Sequence, residues 1–378
     1  MSFLFVHDHR FSYKNERYYS SGGIGNNKTF DRYISVFGPM RIISRIVPRE
    51  NISGLLEINN EFVEIKGEET VGKTIQILKS EIKKYEYIIV RMPSFLGIKA
   101  IQYSKKYKKK YLIELVACPW DALWNHSYKG KLLAPFVYYL TKKYIYNSNY
   151  VIYVTEKFLQ KRYPTKGRNT NCSNVLISDF DELVLKKRID RISKQKEKMI
   201  IGTIGAVNVK YKGQQFIIQA LGSLKKKGIV NFEYHLVGNG DKSYLKKIAR
   251  DYDVSEQVVF VGGLPHQEVF NWLDQKIDLY VQPSRQEGLP RALIEAMSRA
   301  LPAFGAKTAG IPELLDNEFI FSNTPSNIQE IEEMLTLFTQ EKMIEQANRN
   351  FEIAKKYQAS VIEERRRKIF LEFKGAIK

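Results

Sequence analysis

From residue 199 onward the chain alternates short apolar runs with amphipathic stretches. Met199–Gly205 (MIIGTIG) is an apolar run that ends in glycine, and Gln214–Lys227 has helical spacing. Phe232–Val237 (FEYHLV) is a second apolar run, closed by Gly238-Asn239-Gly240, and Asp241–Tyr252 reads as a helix. Val258–Val261, His266–Asp274, Asp278–Gln282 and Pro290–Ala300 continue the order strand, helix, strand, helix. Such alternation predicts a parallel sheet with crossover helices. Gly or Pro closes each strand at the end where these sheets bind ligands.

The first half has the same pattern in weaker form. Phe3–His7, Arg41–Ile46, Tyr87–Val90, Tyr111–Leu115 and Tyr150–Val154 read as strands, with helices over Thr70–Lys84 and Ile98–Lys108. Ser326–Lys378 is polar and helical, without a repeat. The expected fold class is therefore α/β, with two doubly wound domains facing a cleft. Residues 1–190 form the first and residues 199–358 the second, and a last helix at about 360–378 is placed back on the first domain. The charged stretch Leu185–Lys198 has the polarity of a boundary segment.

Composition narrows the class. A chain of 378 residues with 44% hydrophobic and 27% charged residues is neither a disordered tail nor a disulfide scaffold. Its two cysteines, Cys118 and Cys172, are too few for a structural zinc site and are expected as reduced thiols in a cytoplasmic protein. His7, Asp8 and Arg10 interrupt the first apolar run too early for a secretory signal. No run reaches the roughly 18 uncharged apolar residues of a membrane span, so any membrane contact is expected to be peripheral.

Charge changes the picture more. The formal net charge is +19, and residues 1–200 hold 36 Lys/Arg against 19 Asp/Glu, or +17, which leaves +2 for the remainder. A first half this basic is expected to face a polyanion. Tyr128–Tyr153 interleaves Lys129, Lys131, Lys142 and Lys143 with aromatic and aliphatic residues, as an interfacial surface on anionic lipid does. Core packing explains the aromatics equally well. No nucleic-acid module accompanies them, so the expected partner is the inner membrane surface and not nucleic acid.

The densest chemical signal lies in Pro283–Leu315, PSRQEGLPRALIEAMSRALPAFGAKTAGIPELL. A strand ends at Gln282, a loop follows, and Pro290 suits the first turn of a helix because no N–H is lost there. Amides around Gly288, Leu289 and Arg291, with the helix dipole, make an anion site for a diphosphate. Glu287 precedes the helix, and Glu295 lies about 7–8 Å along it at roughly 1.5 Å per residue. Two carboxylates so placed can accept hydrogen bonds from sugar hydroxyls on one side of the phosphates and from a ribose diol on the other. Two glutamates at this spacing, taken alone, are ordinarily solvated surface charge.

The surrounding residues add to the pair. Glu287 and Glu295 with seven residues between them, the Glu-Gly-Leu-Pro turn and Gly310-Ile311-Pro312-Glu313 together resemble the donor-binding signature of retaining GT-B glycosyltransferases of family 4, the bacterial capsule and exopolysaccharide type. GT-B implies two Rossmann-like domains, the first binding acceptor and the second the nucleotide-sugar donor. Gly202–Gly213 (GTIGAVNVKYKG) resembles the family's first strand and loop of that second domain, which includes Gly205 and places the diphosphate-contacting Lys at Lys212. The family's Arg after that glycine is Ala206 here, and Lys210, Lys212 and Arg285 are the candidates for its charge. Val237-Gly238-Asn239-Gly240 resembles a structural glycine turn, and Val261-Gly262-Gly263 the loop bordering the base, beside which His266 is placed.

In the first half, Ser20–Asn26 with Gly22 and Gly23 resembles the family's glycine-rich loop near the donor phosphates, although such a run alone is more often a turn. The family's mid-domain His is absent after Tyr111–Leu115. Cys118–His126 follows instead, with Asp121 and His126 as candidates for touching the acceptor.

The resemblance implies sugar transfer with retention from a nucleotide diphosphate donor to a lipid-linked oligosaccharide or polysaccharide. It implies no protein nucleophile, no cofactor and no metal requirement. Glu287 would hold the sugar hydroxyls, Glu295 and Glu313 the ribose region, and Lys212 the diphosphate. Two other readings stand beside it: sugar-nucleotide epimerisation on the same fold, and a non-enzymatic protein that binds an anionic polymer.

Overall fold

The computed structural model describes residues 2–20, 27–125, 127–178, 180–194, 196–324 and 326–375. The chain divides into two compact units, residues 1–174 with 363–378, and residues 175–362.

The first unit is built on strand β1, Phe3–Lys14. Its apolar start, Phe3 to Val6, is fully buried and runs parallel to β3 (Met40–Pro48) on one side and β6 (Tyr87–Met92) on the other. The register with β3 then breaks between Val6 and Arg10, where the Ser44 hydroxyl donates to the carbonyls of His7 (2.8 Å) and His9 (2.7 Å). Beyond this bulge β1 continues to Lys14, turns at Asn15 and Glu16, both at positive φ, and returns as antiparallel β2 (Arg17–Ser20). The first strand therefore does not end at His7, and the hairpin is an addition to the expected fold.

Strands β4 (Leu56–Ile58), β5 (Val63–Lys66), β7 (Lys110–Leu115), β8 (Tyr150–Tyr153) and β9 (Arg168–Asn171) complete a sheet of order β4-β2-β1-β6-β7-β8-β9, with β3 between β1 and β5. All pairings except those of β2 are parallel. The helix Ala359–Lys374 closes this unit: Phe370 and Phe373 pack on Phe37 with ring centroids 5.3 and 5.9 Å apart. Arg366, fully buried, pairs with Glu363 and donates to the Ser173 carbonyl at 2.8 Å. Deeper in, Glu114 on β7 accepts from the Tyr33 hydroxyl at 2.9 Å and faces Arg91 at 3.5 Å, all three buried.

The bulge leaves two histidines against cations. Burial first, then Arg91 and Arg45, push His9 from 6.5 to about 4, and burial with Arg91, His9 and Arg45 lowers His7 as well. Both are neutral in the folded chain near neutral pH, whereas the unfolded chain takes up protons once the pH falls below about 6.5. Stability is thus complete above that pH and is lost between about 6.5 and 4, by on the order of 3 kcal/mol for His9 alone. Urea denaturation at neutral pH and near pH 5 should show this loss, and His9→Asn should flatten it.

Among the described residues the second unit holds six parallel strands: β10 (Met199–Ile204), β11 (Phe232–Val237), β12 (Val258–Gly262), β13 (Leu279–Gln282), β14 (Ala303–Ala306) and β15 (Ile320–Phe321). Their order is β12-β11-β10-β13-β14-β15. Strands covered on both faces read as continuous apolar runs, and this is why their positions were legible. Ile201, Leu236, Leu279, Val281 and Phe304 make the centre of the core.

The expected linker is different. Glu182–Ile192 is a helix of this second unit, and its buried Arg188 donates to the carbonyls of Ile277 (2.6 Å), Leu273 (2.8 Å) and Arg299 (3.3 Å). The charge that suggested solvation instead satisfies carbonyls at and beyond the end of the helix His266–Gln275.

Candidate functional site

Strand order in the second sheet reverses between β10 and β13, and ligands of parallel sheets gather at such a switch point, beyond the strands' carboxyl ends. Two loops meet here: residues 205–213 after β10 and 283–290 after β13. Gly213 lets them approach. Its φ is +73°, and a Cβ there would lie 1.9 Å from the Pro283 carbonyl oxygen. The Arg285 amide also donates to the Tyr211 carbonyl at 2.7 Å.

This packing brings together the two residues expected at the centre of the chemistry. Lys212, at the end of the 3-10 turn Lys210–Lys212, places Nζ 2.6 Å from Glu287 Oε1. Gln282, the last residue of β13, donates from Nε2 to the same Glu287 oxygen at 3.2 Å and to Ser284 Oγ at 2.8 Å. Its own Oε1 accepts from the buried Tyr280 hydroxyl at 3.0 Å. The Glu287 carboxylate is thus aimed by a lysine and by a side chain anchored in the core. Gln282 escaped the sequence reading, because a polar residue at the end of LYVQ looks only like the end of a strand.

The helix after the second loop is Arg291–Ser298, with Pro290 one position before it as the N-cap residue. It ends short of Ala300, which has positive φ. Leu289 is buried and Arg291 exposed, while the Gly288 carbonyl accepts from the Gly310 amide at 2.9 Å and so ties the loop to the turn Ile311–Glu313. Glu313 is half-buried in that turn. Glu295 is buried within the helix, and His266 Nε2 lies 3.5 Å from its Oε1. Hydrogen bonding to that carboxylate raises the His266 pKa against the opposing effects of partial burial and Arg291.

The remaining predicted residues border this centre in other ways. The Gly205 carbonyl accepts from Gln214 Nε2 at 3.2 Å, and a Cβ on Gly238 would sit 2.0 Å from the same oxygen. A Cβ on Gly263 would meet Asn239 Oδ1 at 2.2 Å, so the two glycine turns are in contact. Lys210 places Nζ 4.8 Å above the Tyr244 ring. Arg285 stacks 5.6 Å from the Phe216 ring and donates from Nε to Asn323 Oδ1 at 3.2 Å, while Asn323 donates to Thr308 Oγ1 at 2.8 Å. Asn323 carries no sequence signal, because it reaches Arg285 only through the fold.

In the first unit, Asp121 lies in the helix Pro119–Trp124, 3.5 Å from Arg162 Nη1. Burial raises its pKa, Arg162 and Cys118 lower it, and the guanidinium rests 6.0 Å over the Trp120 ring. This arrangement holds Asp121 in the local packing. Gly22, Gly23 and His126 fall outside the described residues.

The profile of the family described as "Glycosyl transferases group 1" matches residues 186–357. Protein CapJ of Staphylococcus aureus is 29% identical to the chain, covering all of it and 97% of its own length. The amylovoran biosynthesis glycosyltransferase AmsK of Erwinia amylovora is 37% identical over 113 residues, 28% of this chain and 27% of its own. Among solved structures, Anabaena HepE in complex with UDP-glucose superposes over the full length of both chains with a TM-score of 0.65 at 16% identity.

Proposed function

We propose, from the match of residues 186–357 to the glycosyl transferases group 1 profile and from the GT-B fold, that the protein is a glycosyltransferase of that group and transfers a sugar, with retention of anomeric configuration, from a nucleotide diphosphate donor to a lipid-linked oligosaccharide or polysaccharide in bacterial surface polysaccharide synthesis. The observation that carries this reading is the Lys212–Glu287 pair at the switch point of the second sheet, with Glu295 buried on the adjoining helix. The likeness to AmsK, named for amylovoran biosynthesis, supports the product class.

In this reading the donor diphosphate draws the Lys212 ammonium from Glu287, aided by the amides of residues 288–291. The Glu287 carboxylate, still held by Gln282, then accepts from the sugar hydroxyls, and Glu295 takes the ribose diol with Glu313 beside it. The bond between the anomeric carbon and the departing phosphate oxygen breaks as the acceptor oxygen bonds that carbon on the same face. The acceptor proton passes to the departing phosphate. The protein's part is to position reactants and stabilise the charge on the leaving group, which Lys212 does without a metal.

The test is transfer to a lipid-linked acceptor from a panel of sugar nucleotides in EDTA, with the product's anomeric proton read by NMR. The donor's configuration is expected in the product. An inverted product, or release of an epimerised sugar nucleotide with no acceptor present, would overturn the reading.

A further inference from the structure

The helix Tyr128–Tyr146 turns five residues, Gly130, Ala134, Val137, Thr141 and Ile145, into the first unit. At about 100° per residue these share one side, and Tyr128, Leu132, Phe136 and Tyr139 fall within roughly 80° of one another on the opposite side. Those four are 87%, 83%, 62% and 65% exposed. Trp124 from the preceding helix and Leu133 and Tyr146 from this one are also exposed. A single exposed leucine is ordinary, but a row of large apolar side chains over three turns marks a surface that is covered in use.

The charges around the row identify what covers it. Lys131 and Lys142 flank it on one side and Lys129 on the other, Lys143 continues its line one turn beyond Tyr139, and residues 122–155 contain no Asp or Glu. Lys131 Nζ sits 5.7 Å from the Trp124 ring and 5.2 Å from the Tyr128 ring, so amines and aromatic rings are held together as at a headgroup boundary. The basic ground extends to the neighbouring helix Phe95–Lys106. Gln102 Nε2 donates to the Tyr144 hydroxyl at 2.8 Å, and Lys105 lies 5.5 Å over that ring, at the start of the run Lys105, Lys106, Lys108, Lys109 and Lys110. A second copy of this chain would bring lysines against lysines with no acid to pair them. Among the described residues no helix is long and apolar enough to cross a membrane, so a lipid contact here lies in the plane of the interface.

We infer that the outward face of Tyr128–Tyr146 docks on an anionic lipid bilayer, with Tyr128, Leu132, Phe136 and Tyr139 entering the acyl boundary and the four lysines lying at the headgroups. This deepens the proposed function by naming the surface on which a lipid-linked acceptor is met, and it rests on that reading for the acceptor alone.

The test is co-sedimentation of the full chain with vesicles of phosphatidylcholine, with and without phosphatidylglycerol, at low and high salt. Binding is expected only with phosphatidylglycerol and should weaken with salt. The Leu132→Ser/Phe136→Ser/Tyr139→Ser variant should lose at least about tenfold in affinity. Substituting Lys129, Lys131, Lys142 and Lys143 with Gln should lose roughly a hundredfold or more, at about fivefold per lysine. Both variants should keep the wild-type melting temperature and its shift with nucleotide, which separates loss of docking from loss of fold or of the donor site. Equal binding to both vesicle types overturns the inference, as does an apolar variant that binds like wild type. It is also overturned if wild type sediments as a dimer that the apolar variant makes monomeric, since a second copy then covers the face. A chain that docks on vesicles yet shows no nucleotide response would contradict the proposed function and leave the docking face standing.

Discussion

Glu287→Gln is expected to lower the turnover of sugar transfer by roughly 10²–10³-fold with little change in the unfolding transition. Size and shape are kept, so the loop 283–290 retains its packing against Gly213. What is lost is the charge that Lys212 meets at 2.6 Å and the acceptor oxygen that Gln282 aims at 3.2 Å. An amide cannot give two full acceptor oxygens to sugar hydroxyls, and its NH2 group faces an ammonium it cannot pair. Steady-state kinetics at saturating donor separates two roles. A carboxylate that meets the sugar as charge develops lowers kcat, whereas one that merely holds Lys212 raises the donor KM alone. An unchanged kcat would remove Glu287 from the chemistry.

The largest effect on stability is expected at Glu114. Its carboxylate is buried, accepts from the Tyr33 hydroxyl at 2.9 Å and faces the buried Arg91 guanidinium at 3.5 Å. Glu114→Ala leaves a guanidinium charge in the core without its counter-ion and a buried hydroxyl without its acceptor. Breaking one side of such a pair costs about 3–5 kcal/mol. Urea denaturation should show the midpoint falling accordingly, and Glu114→Gln, which keeps an acceptor for Tyr33, should cost less. A loss below about 1 kcal/mol for the alanine variant would mean that water reaches this charge.

The parts of the fold that were legible in the sequence are those fixed by local pattern. The strands of the second sheet are buried on both faces and announce themselves as apolar runs. Thr70 begins its helix as written, with its hydroxyl accepting from the Lys73 amide. The hairpin Arg10–Ser20 escaped because its turn is Asn-Glu rather than Asn-Gly, although both residues take the positive φ such turns require. The helix Tyr128–Tyr146 contains Pro135, which argues against a helix locally, and its aromatics divide into an inner and an outer face only once the helix exists. Leu185–Lys198 read as a linker, although its first part belongs to the helix Glu182–Ile192, because guanidinium groups that bind distant carbonyls are indistinguishable, in one dimension, from solvated charge.

The candidate site divides in the same way. Lys212, Glu287 and Glu295 carried a motif, and the fold brings the first two into contact. Gln282, His266 and Asn323 carried none for these roles: each acts by aiming another residue, and two of the three partners lie far along the chain. His266 reaches Glu295 twenty-nine positions later, and Asn323 reaches back thirty-eight to Arg285.

A nucleoside diphosphate site on the second unit would reveal itself by thermal shift. UDP, GDP, ADP, TDP and CDP are compared in EDTA on wild type and on Glu295→Ala. One nucleotide is expected to raise the wild-type melting temperature above the others, and Glu295→Ala to abolish the difference. No shift with any of the five, or the same selective shift in the Glu295→Ala variant, would contradict it.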